Sequence, residues 1–276
     1  MANRQPGMAS AVVLVTLALV VDAGFARAQG PATARHTKVS LVAETDSVLA
    51  GRQLTVGIRL QMEPGWHTYW RNPGDSGLPT RVKWTLPAGF EAGELRWPYP
   101  ARFATPPLVS FGYEHEVLLP VEMRVPTALA GREVRLAAQV AWLECQEVCL
   151  PGKAEVSLTL LVRAGGPGPE AAAFADARKR LPTADPAWRF SAQPSGEAIA
   201  ISFRAPGRAA LTNAYFYATT PHVLDYVKPQ ALERTKTGYR LLLARDPNGG
   251  SPARFAGVLV VDVDGRTRAI EVDVAL

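Results

Sequence analysis

The sequence predicts an all-β protein made of two β-sandwich domains. Short segments of alternating apolar and polar residues follow one another, with turn signals about every ten residues, which is the pattern of a β-sandwich. A glycine- and proline-rich stretch at residues 165–169 (GGPGP) interrupts this pattern and is the clearest linker. The chain has 276 residues, enough for two modest domains after removal of an N-terminal leader.

The N-terminus has the features of a secretory signal peptide. Arg4 begins a short polar region, residues 8–21 are apolar, and residues 26–28 (ARA) fit the cleavage pattern. The apolar run is too short for a comfortable membrane span, and no later segment approaches the length of one. We therefore expect residues 1–28 to be cleaved off, leaving an exported mature chain that begins at Gln29 and has no membrane span.

The charge pattern argues against nucleic acid as a partner. The formal net charge is +5, and the basic residues are scattered, with only Arg178, Lys179 and Arg180 clustered. Nucleic-acid binding calls for a basic stripe interleaved with aromatic residues. We interpret the charge as serving solubility.

The first domain, residues 29–164, contains most of the predicted strands. Apolar alternation places them at residues 38–43, 53–61, 82–86, 117–125, 134–143 and 154–162. Four prolines between residues 97 and 108 exclude a helix or a central strand there and predict a long, stiff loop. Long ordered loops in compact domains are often functional.

A linker with a short helix, residues 165–182, leads to a second β-sandwich domain, residues 183–276. The helix is predicted over residues 170–181, because Pro169 suits its start, Phe174 and Ala177 share a face, and Pro182 stops it. Strands follow at residues 198–204, 214–218, 239–244, 257–263 and 267–274. The dipeptide Asp264-Gly265 predicts a tight hairpin between the last two.

Cys145 and Cys149 are the only cysteines of the sequence and lie between two predicted strands. Residues four apart in a strand are about 13 Å apart, whereas a disulfide needs a Cα separation of roughly 4.4 to 6.8 Å, so the chain must turn at residues 146–148. Cross-linking so short a loop stabilises a protein by only about 2 kcal/mol, which is a weak structural reason for the pair. Spacing alone leaves a redox-active and a structural disulfide both open.

Two other motifs suggest different chemistry. The sequence GDSG at residues 74–77, with His67 nearby, matches the surroundings of a serine-protease nucleophile, but the order and spacing of a triad are missing and a turn explains these residues. The C-x-x-x-C spacing followed by proline also resembles the copper motif of Sco-type proteins, and thiolates suit Cu(I). No helix is predicted after Cys149 as that family requires, so copper remains a minor alternative and we predict no metal site.

Four stretches together resemble the periplasmic N-terminal domain of the DsbD and ScsB transmembrane thiol reductases. They are WHTYWRNPGDSGLPT (66–80), WPYP (97–100), FGYEHEVLLPV (111–121) and WLECQEVCLP (142–151). The stretch YFYATTPHVLDY (215–226) is similar to the second domain of the ScsB-type members. The resemblance implies an immunoglobulin-like domain that performs thiol-disulfide interchange in the periplasm, here as a stand-alone exported chain. With it we expect both β-sandwich domains to be immunoglobulin-like.

The resemblance also assigns roles to residues. Cys145 and Cys149 match the redox pair, and Cys149 is implied to form the mixed disulfide. Tyr69 matches the active-site aromatic region. His67 lies in the same stretch, and we expect it near the cysteines. The loop at residues 103–108 looks like the family's cap over the disulfide, with Phe103 or Phe111 as the shielding residue.

The implied partners are a membrane-embedded thiol reductase as electron donor and periplasmic thioredoxin-like or disulfide isomerase proteins as acceptors, without a cofactor. A protein of this kind is an oxidoreductase that relays electrons. The alternative from another class is a non-catalytic periplasmic adaptor whose disulfide is structural. The reduction potential of the cysteine pair would distinguish the two.

Overall fold

The structure, a computed structural model, describes Met1 and residues 27–28, 32–207, 211–250 and 252–276. Most of the predicted signal peptide, including its apolar run, lies outside the described residues. No helix within the described ranges is both long and apolar enough to cross a membrane.

Strands dominate the described chain, which confirms the all-β prediction. In chain order they are β1 (Arg27–Ala28), β2 (Ala32–Ala34), β3 (Thr37–Ala43), β4 (Ser47–Val48), β5 (Gln53–Met62), β6 (His67–Gly74), β7 (Arg81–Thr85), β8 (Glu91–Leu95), β9 (Ala101–Thr105), β10 (Leu108–Glu114), β11 (Glu116–Arg124), β12 (Glu133–Cys145), β13 (Cys149–Val162), the helix α1 (Ala171–Arg180), β14 (Arg189–Ser195), β15 (Ala198–Arg204), β16 (Leu211–Ala218), β17 (Ala231–Arg234), β18 (Tyr239–Ala244), β19 (Arg254–Val263) and β20 (Arg266–Ala275).

The strands β1 to β13 form two sheets, which we call the N-terminal unit. One sheet has the order β1-β13-β12-β6-β10-β9, with β4 paired to β13 and β7 paired to β12, and the other has the order β2-β3-β5-β11-β8. Alternate residues of β12 are buried, as expected for a strand with one face on a core. Ile58 of the second sheet and Leu136 of the first are fully buried in that core.

The strands β14 to β20 form two smaller sheets, which we call the C-terminal unit. Their orders are β14-β15-β18-β17 and β16-β19-β20. The predicted hairpin between β19 and β20 is confirmed: Val263 pairs with Arg266, and Asp264 and Gly265 both have positive φ, as the tightest hairpin turns require. The sequence pattern did not predict β14, an edge strand that contains Pro194.

Residues 97–108, predicted as a loop, contain a strand. β9 pairs with β10 and is an edge strand of its sheet. The turn between the two strands holds Pro106 and Pro107, joined by a cis peptide bond. The loop prediction was wrong because the four prolines flank β9 and do not interrupt it.

The segment predicted as a linker is hydrogen-bonded to the N-terminal unit. The amide of Asp46 donates to the carbonyl of Gly166 over 3.2 Å, and the amide of Gly168 donates to the carbonyl of Glu44 over 2.7 Å. The segment is therefore fixed, along part of its length, to the connection between β3 and β4.

The helix α1 agrees with the predicted residues 170–181 to within one residue at each end. Its buried side chains Phe174 and Ala177 pack against Val42 and Leu118 of the five-stranded sheet. Gly57 makes room for this contact, since a Cβ there would lie 2.6 Å from Leu118 and 3.1 Å from the Phe174 ring. The helix thus covers the outer face of the N-terminal unit.

We expect the Phe174→Ala variant to lose about 3 kcal/mol of unfolding free energy, because a fully buried aromatic ring leaves a cavity when it is truncated. Urea denaturation followed by circular dichroism measures this loss. The Lys179→Ala variant, on an exposed face of the same helix, is the matched control and should change stability by less than about 0.5 kcal/mol. Equal stability of the two variants would contradict this packing of α1.

Candidate redox site

The two cysteines close the longest hairpin of the N-terminal unit. Cys145 is the last residue of β12 and Cys149 the first of β13; the two residues are directly paired in the strand register. They form a disulfide with a Cα separation of 4.2 Å. The turn predicted at residues 146–148 is therefore confirmed.

A buried carboxylate fixes the end of this hairpin. Glu144 is fully buried and accepts a hydrogen bond from the Trp142 indole and another from the backbone amide of His36, both 3.1 Å long. The Trp142 ring in turn lies over Gly152 of β13, where a Cβ would come within 2.3 Å of it. These contacts tie both strands, and the segment that precedes β3, to the residue next to Cys145.

The two cysteines differ sharply in exposure. Cys145 is only 3% exposed, whereas Cys149 belongs to the exposed residues. Val148, beside Cys149, is 61% exposed. An approaching thiol therefore meets Cys149 first.

Tyr69 of β6 reaches the exposed cysteine. Its hydroxyl lies 3.4 Å from the Cys149 sulfur, although the residue itself is buried. Burial raises the pKa of Tyr69 to about 12, and a hydrogen bond with Ser76 offsets this only in part. The phenol is therefore neutral at neutral pH and can donate its proton to a sulfur anion.

The turn after β6 holds the Tyr69 ring in place. A Cβ on Gly77 would lie 2.2 Å from a ring carbon, so the backbone passes directly across the ring, and the φ of +111° at this position also favours glycine. The turn is anchored to β10, because Asp75 accepts a 2.8 Å hydrogen bond from the amide of Val109. Ser76 shares a hydrogen bond with Ser110 and has no catalytic-triad geometry with His67.

His67 and Phe103 lie on the side of the disulfide where Cys145 is buried. His67 is paired with Cys145 between β6 and β12, and the Phe103 ring stacks on the imidazole with centroids 4.6 Å apart. The Tyr69 ring approaches the same imidazole edge-on at 5.2 Å. Burial lowers the pKa of His67, and the charge of Glu114 counters this only in part, so the imidazole is neutral at neutral pH.

Phe111 lies on the opposite face of the sheet. It is fully buried against Tyr215, Tyr217 and Tyr226 of the C-terminal unit, with centroid distances of 6.2, 5.1 and 4.9 Å. The structure thus brings Tyr69, His67 and Phe103 to the disulfide, and it does not bring Phe111 there.

Sequence reasoning missed the buried hydrogen bonds of Glu144 and the contact of Gly77 with Tyr69. Glu144 and Trp142 are two residues apart on one strand, which puts their side chains on the same face, so their contact was open to prediction. The approach of Gly77 to Tyr69 depends on the path of the turn and left no signal. Among the residues that the structure describes, no group of three or more His, Cys, Asp or Glu could hold a metal ion.

Comparisons with known proteins found a matching family and a similar solved structure. Residues 38–161 match the model of the family "Thiol:disulfide interchange protein DsbD, N-terminal". The N-terminal periplasmic domain of ScsB from Proteus mirabilis has a similar structure, with a TM-score of 0.66 and 18% identity, over 90% of this chain and 98% of that one. No curated protein matches the sequence.

Two further solved structures are also similar in part. The periplasmic chaperone SfaE covers 86% of this chain and 97% of its own at 13% identity and a TM-score of 0.22. Spo0M from Bacillus subtilis covers 87% and 90% at 10% identity and a TM-score of 0.23. These scores are too low to inform the fold.

We expect Tyr69→Phe to raise the thiol pKa of Cys149 by roughly one unit and to slow its alkylation at pH 7 by up to about tenfold, because the ring remains but the hydrogen bond to the thiolate is lost. The measurement is the pH profile of iodoacetamide alkylation in a Cys145→Ala background. Tyr99→Phe, which removes a hydroxyl from a ring packed under Arg180, is the control. An unchanged profile would show that the phenol does not stabilise the thiolate.

Proposed function

We propose, on the premise that this chain contains a DsbD-type thiol:disulfide interchange module, that its Cys145–Cys149 pair relays electrons. The donor is a membrane-embedded thiol reductase, and the acceptors are periplasmic thioredoxin-like or disulfide isomerase proteins. The observation that carries this proposal is the unequal exposure of the two cysteines within one disulfide.

Unequal exposure suits a two-step exchange. In the reduced protein the Cys149 thiolate attacks one sulfur of an acceptor disulfide, so that a mixed disulfide forms and one acceptor thiolate leaves and takes up a proton. Cys145 then loses its proton and attacks the Cys149 sulfur. The intramolecular disulfide forms, the second acceptor thiolate leaves, and two electrons have passed to the acceptor.

The reverse sequence recharges the pair. A donor thiolate attacks the exposed Cys149 sulfur, Cys145 leaves as a thiolate, and the second donor thiol releases the chain in its dithiol form while the donor becomes a disulfide. The strand pairing keeps Cys145 next to Cys149 throughout. The resolving step therefore needs no large movement of the backbone.

The surroundings of the sulfurs limit their reactivity. His67 is neutral at neutral pH and gives no positive charge that would favour a thiolate. The neutral Tyr69 hydroxyl is the hydrogen-bond donor at Cys149. A dithiol of this kind reacts slowly with disulfides that it meets at random and faster with a partner that docks and changes the local field.

We further propose a cellular location and a division into domains for this chain. Residues 1–28 serve as a cleaved signal peptide, and the mature chain works in the periplasm. Residues 29–164 form an immunoglobulin-like redox domain, residues 183–276 form a second β-sandwich domain, and residues 165–182 join them. The separate sheets of the N-terminal and C-terminal units support this division.

We expect Cys145→Ser to trap a mixed disulfide and Cys149→Ser to trap none, because the attacking sulfur is the exposed one. Non-reducing electrophoresis of each variant after incubation with an oxidised thioredoxin-like protein reveals the adduct. The two variants are matched controls for each other, since each retains one thiol. A stronger adduct with Cys149→Ser would reverse the assigned roles.

We also expect the reduction potential of the pair to lie above about −300 mV, the range of disulfides that exchange. Equilibration in glutathione buffers, followed by thiol labelling, gives this value. A potential below that limit, together with unfolding of the Cys145→Ser variant, would favour the alternative of an adaptor with a structural disulfide. Stoichiometric Cu(I) binding by the reduced pair would favour the copper alternative.

A further inference from the structure

We propose that the C-terminal unit holds the β9–β10 hairpin against the redox site, and that Arg102 and Phe111 are the positioning residues through which it acts. This inference rests on the proposed function and gives the C-terminal unit a task within it. As a result, the Phe103 ring stays stacked on the His67 imidazole, on the side of the disulfide where Cys145 is buried.

Three neighbouring strands each present one face to the disulfide and the other to the C-terminal unit. On β6, His67 and Tyr69 point to the disulfide, whereas Trp70 and Asn72 contact the C-terminal unit. Side chains of a strand alternate between the two faces of its sheet, so these two sets are separated by geometry.

The β9–β10 hairpin shows the same division. Phe103 is paired with Ser110, and both face the redox side, where Ser110 contacts the turn that holds Tyr69. Arg102 is paired with Phe111, and both face the C-terminal unit. Adjacent residues of one strand thus contact the redox site and the C-terminal unit.

Apolar contacts hold Phe111 in place. Its fully buried ring meets Tyr217 and Tyr226 edge-on, at interplanar angles of 83° and 79°, the arrangement that aromatic rings favour. Trp70 meets Tyr217 in the same way at 6.0 Å. Because aromatic rings cannot slide in such packing without losing contacts, β10 is fixed relative to the C-terminal unit.

Hydrogen bonds fix the register of the same interface. Asn72 is fully buried; its amide donates to the carbonyl of Ala218 over 2.8 Å and to the hydroxyl of Tyr226 over 2.9 Å. The Arg102 guanidinium donates to the backbone carbonyl of Tyr226 over 3.3 Å. A buried amide that lost both partners would be costly, so the interface has one preferred arrangement.

β9 depends on this support because it is an edge strand. Among the described strands it pairs with β10 alone, so one row of its backbone groups has no neighbouring strand. An edge strand of five residues that ends at a proline turn has few contacts of its own to set its position. The bond from Arg102 acts directly beside Phe103 and limits its departure from His67.

The experiment measures the fraction of molecules in which Cys145 is exposed to reagent. In a Cys149→Ser background, iodoacetamide reaches the buried thiol only while its cover is open, and at low reagent concentration reclosing outpaces alkylation, so the rate reports the open fraction. We expect Arg102→Ala to accelerate this alkylation about two- to tenfold, the effect of losing one hydrogen bond on the open fraction. Arg102→Lys, which can still donate to the Tyr226 carbonyl, should restore most of the wild-type rate.

A double-variant comparison separates positioning from general loosening. Phe103→Ala should accelerate alkylation, and adding Arg102→Ala to it should give no further increase, because Arg102 acts through Phe103. The matched control is Arg124→Ala, which removes an exposed arginine that pairs with Glu91 of β8. It should leave the alkylation rate unchanged. Urea denaturation of Arg102→Ala should show a loss of unfolding free energy no larger than the one that its change in open fraction implies, because the same hydrogen bond is absent from the open and the unfolded states.

Two results would overturn the inference. One is an Arg102→Ala rate equal to that of Arg124→Ala, and the other is an Arg102→Ala effect that remains complete in the Phe103→Ala background. Neither result involves the reduction potential or the mixed disulfide. Failure of this inference is therefore distinguishable from failure of the proposed function.

Discussion

The direct pairing of Cys145 with Cys149 at the end of β12 and β13 is the constraint on which the site depends. A disulfide between residues four apart needs the chain to reverse direction at once, and a hairpin supplies this, with the two Cα atoms 4.2 Å apart. The Trp142 indole donates a hydrogen bond to Glu144 and packs over Gly152, and these contacts keep that pairing in register. The hairpin sets the distance between the two cysteines. The groups that cover each sulfur therefore decide how reactive it is.

The two side chains of β6 beside the disulfide, Tyr69 and His67, are neutral at neutral pH. Many reactive cysteines lie beside a cation or a helix N-terminus, which lowers the thiol pKa. Here a tyrosine whose pKa is raised to about 12 contacts Cys149, and the nearby His67 has a lowered pKa. Reactivity of the dithiol then depends on geometry and on the docked partner more than on a resident charge.

The sequence allowed prediction of what local periodicity and turn chemistry control. The strands β15 and β18, the hairpin at Asp264 and the cysteine turn follow from alternation and from residues that favour positive φ or chain reversal. The strand β9 was missed because prolines on both sides hid a five-residue edge strand. The choice between Phe103 and Phe111 required the pairing across a hairpin, which fixes the face of each side chain and is not visible in spacing.

The strand β6 contacts two different neighbours with alternate residues. Insertion or deletion of a single residue before Tyr69 would exchange its faces, because a shift by one position turns every side chain to the other side of the sheet. Asn72 would then leave its partners in the C-terminal unit at the same moment as Tyr69 left Cys149. The length of β6 is thus constrained by the redox site and by the C-terminal unit. A shift of one residue would disrupt both the thiol chemistry and the contact between the two units.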